Sequence, residues 1–311
     1  MKAIRIHAYG DASVLRYEDA PQPAVGDNDV LIRVVGTSVN PVDWKIREGH
    51  LEAMIPYPMP FIPGWDVSGV VEAVGKKATK FKLGESVFSR PDIARNGTYA
   101  EFVSILESEV ARKPATISHI EAGVLPLAGL AAWESLVTVA KVGPGQRVLV
   151  HAAAGGVGSI AVQLAKARGA YVVGTASAAN RALVESLGVD EFIDYRTQRL
   201  GNATKGIDVV FDTVGGAAQQ ESWAVMAAGG IQVSIVSEPS AELAAKRGVR
   251  GAFVFIKPDA LALEEMATLV DGGRLRPIIG AEFALEDIKR AHALSESGHS
   301  IGKIAVYVGR P

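Results

Sequence analysis

The spacing of hydrophobic positions changes character near residue 119. Before it, short runs rich in β-branched residues are separated by glycine and proline, which reads as strands at 30–36, 67–75, 84–88 and 97–103. Prolines 21, 23, 56, 58, 60 and 63 punctuate the connections. Strand–helix alternation is missing here, so the pattern predicts a mainly antiparallel, barrel-like domain. Gly69 and Gly75, inside one strand, suggest bends or close backbone approach. One short helix is expected within this part. Asn40 can cap it, Pro41 suits its first position, Asp43 favours its N-terminus and Gly49 can end it.

From 119 the pattern becomes helical, and Ala- and Leu-rich sequence over 120–142 closes at Gly143-Pro144-Gly145. Strands are then expected at 147–151, 171–175, 191–194, 208–212, 230–236 and 251–256, with helices at 157–168, 179–187 and 217–227. Six strands with intervening helices match a doubly wound parallel sheet, the Rossmann arrangement. Helices are expected over 259–272 and 283–297, and 303–308 reads as a closing strand that returns to the first domain. The predicted class is α/β, with a first domain over 1–118, a dinucleotide-type domain over 119–257 and a returning part over 258–311.

Composition narrows the chemistry. The 311 residues are 48% hydrophobic and 21% charged, with a net charge of -2 and both signs spread along the chain. That is ordinary globular composition, without the basic footprint of a nucleic-acid partner. No cysteine occurs, which removes thiolate nucleophiles, disulfides and cysteine zinc ligands together. The six histidines form no ligand cluster, so no metal is expected. Neither a long apolar stretch at the start nor a membrane-length segment is visible, so membrane partners are not expected and the expected location is cytoplasmic.

The chemistry centres on 151–158, His-Ala-Ala-Ala-Gly-Gly-Val-Gly. A strand leads into it and a helix leads out, which is the context of a dinucleotide phosphate site. Gly155 and Gly156 let the backbone turn sharply, and free N–H groups at the helix start favour a pyrophosphate. Against G-x-G-x-x-G, Ala153 stands at the first glycine, with Gly155 and Gly158 in place. At the end of the second strand no Asp or Glu is present to bind a ribose 2′-hydroxyl, while Ser177 and Arg181 can meet a 2′-phosphate. NADPH is therefore expected over NADH. Val214 and Gly215, after the fourth strand, should line the cofactor crevice, and Asp212 is expected to hold the backbone of that turn. His151 is expected to bond locally and do no chemistry.

These segments, in order, resemble the medium-chain dehydrogenase/reductase superfamily and, within it, the zinc-independent quinone oxidoreductase-like (zeta-crystallin-like) group. The resemblance runs through 26–34, 38–43 (Ser-Val-Asn-Pro-Val-Asp), 63–71, 125–133, the glycine turn and the closing Gly302-Lys303-Ile304. It implies that the first domain is GroES-like and that the turn follows the pattern A-x-x-G-x-x-G, here Ala152, Gly155 and Gly158 with Gly156 and Val157 between. It further implies that Tyr195 contacts the adenosine phosphate and that Lys303 belongs to the cofactor set. Asn40 and Gly64-Trp65-Asp66 stand where zinc-dependent relatives carry a Cys and a Gly-His-Glu motif.

The expected activity is metal-free transfer of hydride from NADPH to a quinone or an α,β-unsaturated carbonyl. An enoyl-thioester reductase of the same fold, or an NADPH-binding sensor with little turnover, are the alternatives. Asn40 is expected to donate to the nicotinamide ribose or substrate carbonyl, Lys45 to stabilise an enolate or deliver a proton, and Trp65 to wall the pocket beside Asp66. The apolar sixth strand, at 250–256, suggests a homodimer formed through that edge.

Overall fold

The computed structural model describes residues 1–309, which divide into two compact units. The first holds Met1–Ala128, Lys257–Gly273 and the chain from Pro277 onward; the second holds Gly129–Ile256 and Arg274–Arg276. The boundary lies at 128/129 rather than at 118/119, because the short helix His119–Ala122 packs on the strands Asp29–Val39 and Val67–Val74 of the first unit. Among the described residues no helix is long and apolar enough to cross a membrane.

The first unit is built on a seven-stranded sheet centred on Asp29–Val39, which is buried at every position but Arg33. Val67–Val74 and Phe102–Leu106 flank it antiparallel along its first part, and Lys303–Tyr307 pairs antiparallel with its last residues. Ser86–Ser89 and Val110–Arg112 extend the sheet on one side, and Ile279–Ala284 lies parallel to Lys303–Tyr307 on the other. A Cβ on Gly69 would meet Arg33 O at 2.1 Å, so the close approach read from the sequence is a contact only glycine permits.

The second unit is a six-stranded, wholly parallel sheet in the order Glu191–Asp194, Tyr171–Ala176, Arg147–Val150, Ile207–Asp212, Met226–Ser234, Arg250–Phe253. Val148, Leu149, Val150, Val172, Val173, Val209, Val210 and Phe211 are fully buried, as strands covered on both faces require. The chain leaves Arg147–Val150 to one side first and to the other later, so the topological switch point of the sheet lies at that strand's C-terminal end.

Several local expectations are corrected. The helix expected over 217–227 ends at Ser222, because Met226–Ser234 is drawn into pairing with Ile207–Asp212. Residues 237–250, given no element between the expected strands 230–236 and 251–256, hold the helix Ala241–Arg247, capped by Ser240 and ended by left-handed Gly248. The helical run expected from 283 starts at Ile288, since Ile279–Ala284 is extended to pair with the closing strand. The strand expected over 97–103 shifts to Phe102–Leu106.

Candidate active site

In the first unit, four polar side chains from separate parts of the chain meet in a buried cluster. Asp66, fully buried, precedes Val67–Val74; Ser38 and Asn40 end the central strand; Lys303, 5% exposed, begins the closing one. Asp66 Oδ2 accepts from Ser38 Oγ at 2.5 Å, from Asn40 Nδ2 at 2.8 Å and from Lys303 Nζ at 3.4 Å. Asp66 Oδ1 accepts from the backbone N–H of Leu127 at 2.6 Å, in the first turn of the helix Pro126–Trp133, where the helix dipole favours a carboxylate.

Lys303 fixes the direction of the Asn40 amide. An ammonium only donates, so it selects Asn40 Oδ1 and turns Nδ2 toward Asp66 and Ser38. Both ends of the amide are thereby occupied inside the protein. The cluster thus holds the side chain of Asn40, the residue expected to donate to ribose or substrate. Asn40 also takes the expected N-cap position of the helix Pro41–Arg47, where Asp43 Oδ2 accepts its backbone N–H at 2.8 Å in a capping box. Lys303, expected in the cofactor set, gives two of its three ammonium hydrogens to Asn40 and Asp66.

Beneath the cluster, Tyr99 OH donates to Asp43 Oδ2 at 2.6 Å. Both residues are fully buried. Burial pushes the Asp43 carboxyl up to about 7, against the opposing effect of the hydrogen bonds from Tyr99 and Asn40. Burial likewise holds the Tyr99 phenol well above its ordinary value. Asp43 Oδ1 has no partner among the described residues.

Lys45 stands apart from this cluster, half-buried on the helix Pro41–Arg47, with its ammonium 5.6 Å from the centre of the Trp44 ring. Trp65 is 0% exposed and belongs to the apolar core beside Tyr57, 6.2 Å away. The ring expected to wall the pocket is thus shut from solvent within the core, and its indole N–H has no partner among the described residues.

In the second unit the glycine turn takes the expected place between Arg147–Val150 and the helix Gly156–Ala167. Ala152 has φ +46°, and its carbonyl lies 2.1 Å from where a Cβ on Gly158 would sit. Gly155 occupies the N-cap without a side-chain cap, so the first N–H groups of the helix, including those of Gly156, Val157 and Gly158, are left to an outside acceptor. Beside the turn, Ser222 Oγ donates to Ala218 O, so His151 Nε2 donates to Ser222 at 2.7 Å and the ring is the neutral Nε2–H form. Burial lowers the His151 pKa to about 4, consistent with a structural part.

Ser177 follows Tyr171–Ala176 and heads the turn Ala178–Asn180, yet its hydroxyl caps nothing. Arg181, exposed, pairs through Nε with Glu185 at 2.7 Å and lies 5.3 Å from the centre of the Phe192 ring. Tyr195 is 57% exposed just past Glu191–Asp194. Asp212 is fully used: Oδ1 accepts from Val214 and Gly215 N–H groups, and Oδ2 from Gln219 and Ser234. That pins the turn and leaves Val214 exposed with Gly215 at φ +77°.

Sequence reading missed Ser38, Asp43 and Tyr99 as cluster members. The signal within reach was Lys303, a charge opening an otherwise apolar strand. A cation in such a place needs a buried partner.

Among the described residues no group of three His, Asp or Glu side chains is placed to hold a metal ion. Residues 26–115 match the family model described as "Alcohol dehydrogenase GroES-like domain", and 187–306 match "Zinc-binding dehydrogenase". The chain is 34% identical to the chloroplast envelope quinone oxidoreductase homolog of Arabidopsis thaliana, over 98% of both chains. It superposes on the solved quinone oxidoreductase of Coxiella burnetii with TM-score 0.91 and 32% identity, over 99% of each chain. A mycobacterial protein solved in complex with NADPH matches with TM-score 0.87 and 29% identity, over 99% of this chain and all of the other. On this full-length likeness, with an antiparallel GroES-like unit and a Rossmann unit each in place, the chain belongs to the quinone oxidoreductase-like (zeta-crystallin-like) branch of the medium-chain dehydrogenase/reductase superfamily.

Proposed function

We propose that this protein is an NADPH-dependent oxidoreductase that reduces quinones or α,β-unsaturated carbonyls without a metal. The observation that carries the reading is the glycine turn with its uncapped helix. Gly158 has no room for a side chain, and Gly155 offers none to the helix N-terminus, which suits a pyrophosphate. Ser177, with its free hydroxyl, and Arg181 stand where a carboxylate would select NADH, which supports NADPH. The exposed Tyr195 and Val214, with Gly215, complete the proposed cofactor set. When bound, the nicotinamide supplies a hydride.

The chain's own part is to orient and to handle protons. Lys303, Asn40 and Asp66 act in this reading as a positioning cluster that holds the ends of three strands of the first unit in fixed register. Lys45 forms no ion pair among the described residues and is the proposed proton donor to a reduced acceptor. The relatives named quinone oxidoreductases favour a quinone or related acceptor.

The strand Arg250–Phe253 forms an open edge of the parallel sheet, and Phe253 and Phe255 are both about half exposed there. Pairing of that edge with a second copy is the proposed dimer contact. The decisive experiment follows NADPH oxidation by absorbance against a panel of quinones and enones, with NADH and a chelator as controls. NADPH-selective, chelator-insensitive turnover is expected. Binding of NADPH with no turnover across the panel would sink the enzymatic reading.

A further inference from the structure

Arg181 is the cation expected to meet a 2′-phosphate, yet the second unit draws it back from the sheet edge. Its Nε bonds to Glu185 at 2.7 Å, and its guanidinium carbon lies 5.3 Å from the centre of the Phe192 ring. Phe192 stands three positions before Tyr195. At about 3.3 Å per residue, that puts the ring under Arg181 about 10 Å short of the Tyr195 position. An exposed pair such as Arg181 with Glu185 is weak, but it supplies a counter-charge, and the ring supplies a resting face.

The edge itself carries another cation. In the register of the two parallel strands Tyr171–Ala176 and Glu191–Asp194, Ala176 lies opposite Asp194. Ser177 and Tyr195 are therefore the next positions on neighbouring strands, which run about 4.8 Å apart. Arg196 follows and is exposed, with its guanidinium carbon 5.8 Å from the centre of the Tyr195 ring. The Tyr195 oxygen bears most on the Arg196 charge, ahead of the Asp194 carboxylate. That carboxylate serves the turn: Oδ1 accepts the backbone N–H of Arg196 and Oδ2 the hydroxyl of Thr197, each at 3.1 Å. Arg196 forms no ion pair among the described residues.

A hydroxyl that caps nothing, an exposed phenol and an unpaired guanidinium thus share one corner of the parallel sheet. All three can donate hydrogen bonds. The planar fork of a guanidinium matches two phosphate oxygens at once.

We infer that Arg196 is the specificity-determining cation of the cofactor site, pairing with the ribose 2′-phosphate of NADPH beside Ser177 and Tyr195. The inference rests on the proposed NADPH reading. It moves to Arg196 the charge expected of Arg181 and leaves Arg181 a supporting part at the helix start. A ribose 2′-hydroxyl carries no charge, so Arg196 separates the two cofactors rather than strengthening both.

The test uses the full chain with Arg196→Ala, Arg196→Lys and Arg181→Ala. Dissociation constants for NADPH and NADH are read from nicotinamide fluorescence. Adenosine 2′,5′-bisphosphate and adenosine 5′-monophosphate serve as competitors. Arg196→Ala changes an exposed side chain and should melt with the wild type. Its NADPH dissociation constant should rise about tenfold or more, the usual effect of losing a charge-assisted contact. Its NADH constant should stay within about twofold, since the discrimination lies in the phosphate. The bisphosphate should lose affinity with NADPH, and the monophosphate should not. Arg196→Lys keeps the charge without the fork and should recover part of the loss. Arg181→Ala should weaken NADPH by no more than about threefold, as for a cation already paired on the surface.

Equal weakening of NADPH and NADH in Arg196→Ala would make the residue a contact to parts that both cofactors share, and would overturn the inference. An unchanged NADPH constant would overturn it too, while the NADPH preference stood; a loss of about tenfold in Arg181→Ala would then return the phosphate to Arg181. If the wild type binds NADH as tightly as NADPH, the proposed preference fails and Arg196 falls with it. If NADPH binds and no acceptor is reduced, the enzymatic reading fails alone, and the dissociation constants still decide Arg196.

Discussion

The ammonium of Lys303 donates to the amide oxygen of Asn40, across 263 positions of sequence. One residue on the closing strand thus sets the orientation of a side chain at the end of the central one, and through it the hydrogen bonding of Asp66. Replacing Lys303 with Met should leave the Asp66 charge and the Asn40 carbonyl buried without their cation. Breaking one half of such a pair costs about 3 kcal/mol or more, read as a lower urea midpoint. The double change Lys303→Met with Asp66→Asn should recover part of that loss, because the uncompensated charge is gone. A double variant no more stable than the single one would mean that the two residues are not coupled.

Asp43 gives the fold a pH dependence of unusual sign. Its folded pKa of about 7 lies above its ordinary value of 3.8, so between them the folded state binds more protons than the unfolded one. Stability contributed by this group is therefore present at low pH and lost as pH rises toward about 7, at no more than about 1.4 kcal/mol per pH unit. His151, lowered to about 4, and His292, lowered to about 3, act oppositely: stability rises with pH up to their ordinary value of 6.5. Asp43→Asn should unmask the histidines, so that its melting temperature climbs more steeply than wild type between about pH 4 and 6.5. Parallel melting curves for the two proteins would contradict this assignment.

Gly158→Ala places a methyl group against the carbonyl of Ala152. Relief requires the turn or the helix start to move, with an overpacking cost of about 1–3 kcal/mol. NADPH titration by fluorescence should show affinity at least about tenfold weaker, one factor of ten being 1.4 kcal/mol. Unchanged affinity would show that the turn does not carry the phosphate.

Ser177→Asp puts a carboxylate at the end of the second strand, where it can accept from a ribose hydroxyl and repel a phosphate. The ratio of kcat/KM for NADPH to that for NADH should fall by about tenfold or more, as about 1.4 kcal/mol of repulsion demands. An unmoved ratio would place the selecting contact elsewhere, with Arg181→Ala as the next variant to measure.

Lys45→Met removes the proposed proton donor while keeping the stem that lies by Trp44. Turnover should drop about 10²-fold, the lower range for loss of a general acid, with NADPH affinity unchanged. Full turnover would return Lys45 to a surface role.

The two-unit architecture was legible because period and punctuation carry it. Six buried strands separated by helices can be read from β-branched runs, and the glycine turn was found whole. Local signals also went unread: Ser240 and Gly248 bracket the helix Ala241–Arg247 as cap and stop, between two expected strands where no element was assigned. The strand Ile279–Ala284 gave less warning, since its extension follows from pairing with Lys303–Tyr307. Pairing across the sheet outweighs local preference there.

What the sequence determined by itself was the fold class and the glycine turn, because both depend on residues close together in the chain: alternating apolar positions, glycines and caps. What only the tertiary structure decided was the polar cluster. Lys303, Asn40, Asp66 and Ser38 come together through the pairing of the closing strand with the central one, and Tyr99 reaches Asp43 from another part of the chain. The same burial made Trp65 a core residue. Whether a polar side chain is satisfied, exposed or free for a ligand depends on neighbours tens or hundreds of positions away, and no local pattern encodes them.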